Sequence, residues 1–216
     1  TRRVAVAIPS YRTFTRSIKL PNLKAGQIEE AVKLEAEQYI SAPLEELYLD
    51  YEIIRQDENS TELFAVAVPQ TIVDSYLELM EIFGLETVLI ETTLSSAGRL
   101  FSYDYQSDVP TVMVDFGSLS SDISIFDKKH ILVTGTVQGG GRNFTDLIMQ
   151  NLAVSDKEAG LIKTRYGLGP SKKQAQIKQA LEPTLALTIK EIRRMMRYYE
   201  ERYGTERPIS QMVTVG

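Results

Sequence analysis

The chain has 216 residues, 43% of them hydrophobic, with 24 Lys and Arg against 29 Asp and Glu, a formal net charge of −5, one His and no Cys. That composition suits a folded chain burying one large core or two small ones; it excludes disulfides, Cys-ligated zinc and thiol nucleophiles, and argues against a zinc enzyme and a general nucleic-acid binder. No apolar run reaches the roughly 18 residues of a membrane span and no signal peptide is present, so a cytoplasmic protein without direct membrane insertion is expected.

Residues 4–8 (VAVAI) form a continuous apolar run ended by Pro9, as a strand covered on both faces would. A core strand at the very start implies that earlier strands of the same fold precede Thr1. Phe14, Ile18 and Leu20 among polar neighbours give a half-exposed strand stopping at Pro21. From Ala25 the period becomes helical: Ile28, Val32, Glu35/Ala36 and Tyr39 share a face, Glu29 and Glu30 lie near the N-terminal end, and Pro43 closes the element. Leu47, Leu49, Tyr51 and Ile53 alternate with Tyr48, Asp50 and Glu52; after a polar turn, residues 63–68 return as the second arm of a hairpin. Pro69 and Thr71 open a helix with Ile72, Val73, Tyr76, Met80 and Phe83 inward and Gly84 just past its end. A short strand over 88–90, a helix carrying Leu94, Ala97 and Phe101, and a polar connection over 102–108 follow, with a domain boundary expected in that connection.

The stretch PTVMVDFGSLSSDISIF, residues 110–126, predicts two strands joined by a turn of Gly and small residues. Such a turn lets backbone N–H groups approach a polyphosphate, and Asp115, two residues before Gly117, is placed to hold Mg²⁺ through water. The same residues also suit a plain Ser/Gly hairpin whose Asp caps the turn. A strand over 130–137 runs into Gly139, Gly140 and Gly141 and a helix starting at Asn143-Phe144-Thr145; His130, with no ligating neighbour in sequence, reads as a surface or turn histidine. Ser155 and Asp156 cap a helix with Lys163 near its C-terminal end. Ser171 starts a basic helix to Leu181, and Pro183 begins a separate long helix with Leu185, Ile189, Ile192, Met196, Tyr199 and Tyr203 inward, its mixed-charge face solvated, ending at Gly204. Residues 208–215 predict a last strand.

VDFGSLSSDISIF, GGRNFT at 140–145, AGLIK at 159–163 and PISQMVTVG follow one another in the order of the phosphate, ribose and adenosine segments of the actin-like ATPase superfamily, which the chain resembles. VAVAIPSYRTFTRSIKLPNLKAGQIEEAVKLEAEQYISAPLEELYLDYEII and EPTLALTIKEIRRMMRYYEER resemble, within it, the PilM family of type IV pilus assembly proteins, with FtsA as a further relative by fold. The resemblance spans essentially the whole chain. It implies an α/β fold of actin-like (ribonuclease H-like) lobes with a strand–helix–strand–strand insertion subdomain: residues 1–20 and 86–108 in the first lobe, 21–85 in the insertion, 109–165 and 205–216 in the second lobe, and 166–204 as its helical part. It implies ATP and Mg²⁺ between the lobes of the full-length protein, with Asp115 facing Mg²⁺ through water, the backbone at Gly117, Ser118, Leu119 and Ser120 the phosphates, Gly140 and Gly141 the ribose, and Lys163 the adenosine. The implied role is a cytoplasmic scaffold, held at the inner membrane through partners, that receives the N-terminal peptide of a PilN-like membrane protein and other pilus-platform proteins; little or no hydrolysis and no catalytic residue are expected. The alternative is an FtsA-like ATPase of division or filament formation. Three departures from the pattern stand out: the first phosphate motif would lie before Thr1, Gly160 occupies the position of a ribose-binding Glu in many relatives, and the chain stops at Gly216 before the adenosine glycines are complete.

Overall fold

The computed structural model describes residues 2–104 and 109–216, so part of the polar connection expected to hold a domain boundary lies outside the described residues. The chain divides into two compact units, residues 1–108 with 126–134, and residues 109–125 with 135–216.

In the first unit β1 (Arg3–Ile8) pairs in parallel with β5 (Glu86–Thr92), Arg3 opposite Glu86 and Ile8 opposite Thr92. A parallel pair needs a crossover. Here the crossover contains an antiparallel sheet of order β2-β4-β3, made of β2 (Phe14–Pro21), β3 (Leu47–Gln56) and β4 (Ser60–Pro69). Period-2 alternation sends Ile18, Leu20, Leu63 and Ala65 to one face, where α1 (Ala25–Glu37) lays down Ile28 and Val32. Farther along the same face Ala36 and Ile40 meet Leu47 and Ala67. Val32 and Leu63 are fully buried, each contributing about 1.5–3 kcal/mol of apolar transfer.

α2 (Gln70–Ile82) ends in a Schellman turn: the Leu85 N–H bonds the Met80 carbonyl, that of Gly84 bonds Glu81, and Gly84 takes φ +64°. Phe83 caps this helix and is 65% exposed, not inward as its helical spacing predicts, because the stripe turns away from the sheet as the helix closes. In α3 (Thr93–Asp104), Gly98 lies under the Phe126 ring so closely that a Cβ there would sit 2.0 Å from a ring carbon.

In the second unit β6 (Thr111–Phe116) is flanked by β7 (Ser120–Asp127) and, in parallel, by β9 (Gln211–Val215), within a sheet of order β8-β7-β6-β9. β8 (His130–Gln138) follows β7 through Lys128 and Lys129, both at positive φ as a two-residue hairpin loop requires. The tip of this hairpin belongs to the first unit: Thr134 bonds Thr15 of β2 at 2.8 Å, and His130 Nδ1 stands 3.0 Å from Glu52 Oε1 of β3. His130 thus has a partner 78 residues away, invisible to local reading.

Ile148 of α4 (Gly141–Leu152), Ala159 and Ile162 of α5 (Asp156–Arg165), and Ile177 and Leu181 of α6 (Gln174–Tyr203) form the helical core of the second unit. α6 is one continuous helix of 30 residues, not two elements divided at Pro183. Gln179 and Pro183 are both solvent-exposed, so the carbonyl that the proline leaves without an N–H is on the water-accessible face of the helix. Its buried stripe contains Thr184 and Thr188 while Ile189 is 49% exposed. Thr188 donates to the Thr184 carbonyl and Thr184 to Asn143 Oδ1, which removes the penalty of burying their hydroxyls.

Candidate functional site

Two loops meet at one end of the second unit's sheet. The N–H groups of Gly139, Gly141 and Arg142 donate to the carbonyls of Leu119, Gly117 and Ser118 at 3.1, 2.8 and 2.9 Å, fastening the loop before α4 onto the β6–β7 turn. The approach is close enough to require glycine at 140, where a Cβ would lie 2.2 Å from the Gly117 carbonyl oxygen. In a trans peptide C=O and N–H point in opposite directions. With the carbonyls of residues 117–119 turned to the glycine loop, the N–H groups of Ser118, Leu119 and Ser120 point the other way. Leu119 is exposed and Ser120 buried at this rim.

Asp115, the next-to-last residue of β6, is half-buried beside the turn. Asp122 on β7 is buried and accepts a 2.6 Å hydrogen bond from Thr136 Oγ1. Burial pushes the Asp122 carboxyl above the usual range, the Thr136 bond opposes this, and the negative charge of Asp115 adds to the rise. Sequence reading passes over Asp122 because it sits among Ser120, Ser121 and Ser124 in a strand whose polar residues are nearly all buried, so no alternation of polar and apolar residues marks it out. Among the described residues no group of three or more acids and histidines is placed to ligate a metal directly.

α5 begins at Ser155, whose hydroxyl accepts from the Glu158 N–H. It brings Lys163 Nζ to 2.7 Å from the Gly141 carbonyl. Arg142 joins the same helices through Asp146 and Asp156, both at 2.8 Å. The structure therefore brings together Gly117, Ser118, Leu119, Gly140, Gly141 and Lys163. Gly160, one turn before Lys163, faces open space: a Cβ there would meet nothing within 4 Å.

The first unit carries a separate groove of about 350 Å³. Its apolar floor is Ile8, Phe64, Val66, Val68, Val73 and Ile90, and its charged lining is wholly acidic: Asp50, Glu52 and Glu91. Glu91 is engaged by the Arg99 guanidinium, which lowers the charge it presents.

The family model described as type IV pilus assembly protein PilM matches residues 1–216. The cell division protein FtsA of Bacillus subtilis (strain 168) is 26% identical over 161 residues, 67% of this chain and 37% of FtsA. Among solved structures, a PilM-PilN type IV pilus biogenesis complex matches with a TM-score of 0.79 at 23% identity, over 99% of this chain and 62% of that one. MreB5 of Spiroplasma citri bound to ADP matches at 0.51 and 14% identity, over 60% of this chain and 48% of that one. The chain thus spans less than two-thirds of the proteins it matches. The α/β fold is actin-like, and the chain belongs to the type IV pilus assembly protein PilM family.

Proposed function

We propose that the chain acts in a cytoplasmic scaffold of the type IV pilus platform and takes the N-terminal peptide of a PilN-like membrane protein in the groove of its first unit. The observation that carries this reading is the family match across all 216 residues, where the match to FtsA covers 67% of the chain. The PilM-PilN complex supports the choice of partner. An FtsA-like ATPase is the weaker reading, since it rests on a partial match. In domain terms, the insertion within a first actin-like lobe takes in β2 as well as residues 21–85, since β2 pairs with β4, and residues 109–216 belong to the second lobe apart from the hairpin tip, 126–134, which packs with the first unit.

The second unit supplies one side of a nucleotide site. The N–H groups of residues 118–120 would face phosphates, Asp115 would hold Mg²⁺ through water, Gly140 and Gly141 would admit the ribose, and Lys163 would border the adenosine side. ATP and Mg²⁺, when bound, bring a polyanion and its counter-charge; the chain's own residues bind and orient them. The donor set fits, being mainly backbone N–H with one carboxylate at the rim. Isothermal titration of the PilN-like N-terminal peptide into the chain tests the scaffold reading: micromolar to sub-millimolar binding is expected, and no heat at millimolar peptide with the chain shown to be folded contradicts it.

A further inference from the structure

We propose that the groove of the first unit takes its ligand as an added β-strand: an extended segment with alternating apolar side chains and at least one basic residue, paired to the free edge of β3 at Leu49 and Tyr51. This rests on the partner reading above and states the chemistry by which that partner is held.

β3 is the terminal strand of its sheet, bonded to β4 on one side only. Five consecutive β3 residues, 48–52, line the groove. Tyr48, Asp50 and Glu52 stand opposite Val68, Val66 and Phe64, so these six share the face that forms the groove. Leu49 and Tyr51 belong to the other face, where their side chains pack against the cluster containing Ile18, Val32 and Leu63. What they contribute to the groove is their main chain.

The direction of that main chain follows from one hydrogen bond. The Tyr51 N–H donates to the carboxylate of Asp50 at 2.8 Å, so it is not spent on the ladder with β4. Backbone groups of alternate residues point to the same side of an antiparallel strand, which puts the N–H and C=O of Leu49 with those of Tyr51 on the open edge. Charged side chains on an edge strand discourage unwanted pairing, and here the Asp50 carboxylate occupies the edge N–H itself. An incoming strand displaces it, and a basic side chain on that strand then meets a freed acid. Of the lining acids, Glu91 is already held by Arg99 and Glu52 by His130, which leaves Asp50 as the acid that an incoming basic side chain meets. The volume suits a few residues of extended peptide, with Val66, Val68 and Ile90 available to alternate apolar side chains.

The test uses the synthetic N-terminal peptide of the PilN-like protein from the same organism and two analogues, N-methylated at the odd or the even backbone nitrogens. With the parent peptide, the amide protons of Leu49 and Tyr51 are expected to exchange at least about tenfold more slowly, and one analogue alone is expected to lose about tenfold or more in affinity. Asp50→Asn is expected to weaken binding a few-fold, about threefold, and to flatten its salt dependence. Equal affinities for all three peptides, equal losses for both analogues, or unchanged exchange at Leu49 and Tyr51 overturn strand addition while leaving the partner reading in place. An unchanged salt dependence in Asp50→Asn overturns the requirement for a basic residue. No binding of the parent peptide overturns both readings.

Discussion

Lys163 Nζ donates a 2.7 Å hydrogen bond to the carbonyl of Gly141, tying the last turn of α5 to the first residue of α4. The ammonium is half-buried, and its partner carbonyl belongs to the loop that also grips the Gly117 turn. Lys163→Met is therefore expected to cost about 1–2 kcal/mol, the worth of a charge-assisted hydrogen bond at a partly screened site. Urea denaturation measures it. An unchanged midpoint would mean that the lysine is free to swing away and that the loop stands without it.

Gly140 and Gly160 are expected to respond in opposite directions. Gly140→Ala forces a Cβ against the Gly117 carbonyl, with backbone rather than a flexible side chain in the way, and should destabilise by about 1–3 kcal/mol. Gly160→Glu meets no obstruction and replaces a poor helix former inside α5, for a gain of about 0.5–1 kcal/mol. If residue 160 borders a ribose, the glutamate also tightens ATP in the full-length protein by about 1 kcal/mol. Melting with and without ATP separates the two effects, and an equal gain in both shows that residue 160 does not face the nucleotide.

The element order was largely legible because the chain's strands and first helices carry one clean period each. Ile28, Val32 and Ala36 have no apolar competitors on the opposite face of α1 apart from Leu34, and Gly84 marks the end of α2 at the position where positive φ is needed. α6 misleads for two physical reasons. Pro183 signals a helix start but also fits an exposed interior turn, and Thr184 and Thr188 bury hydroxyls that find carbonyl and amide acceptors, which hydrophobic periodicity does not register. At the candidate site, the glycine-rich segments and Lys163 were readable as motifs. Asp122 with Thr136, the Glu52–His130 pair and the free edge of β3 were not, since each depends on residues brought together by the sheets.

Gly98 and Phe126 should be strongly non-additive. Gly98→Ala places a methyl inside the Phe126 ring and is expected to destabilise by about 2–3 kcal/mol; Phe126→Leu alone costs about 1–2 kcal/mol through lost packing. In the double variant the smaller side chain leaves room for the methyl, so its loss should be clearly smaller than the two single losses added together, by roughly 1 kcal/mol or more. Additive losses in urea melts would mean that the ring and α3 do not meet.

Asp122 sets a pH dependence with a definite sign. Its carboxyl is raised in the folded chain, mainly by burial, so the native state holds the proton more tightly than the unfolded chain does. Its contribution to stability is full below the unfolded pKa, about 4, and is lost as pH rises through the higher folded value. Asp122→Asn keeps an acceptor for Thr136 and removes this titration. The variant is expected to gain stability relative to the parent as pH rises from about 4 towards neutrality, and to reach a constant difference above the folded pKa. A difference that is flat with pH, or that shrinks on raising it, contradicts the burial of an ionisable Asp122.

The central claim, that the first unit is the peptide-receiving part of a pilus-platform scaffold, is tested most directly by titrating the PilN-like N-terminal peptide into the ¹⁵N-labelled chain. Resonances of groove residues on β3, β4 and β5, among them Glu52, Val66 and Ile90, are expected to shift, with those of the second unit beyond Gly135 largely unmoved. Shifts centred on α4, α5 or α6, or none at millimolar peptide with the chain folded, would contradict the account.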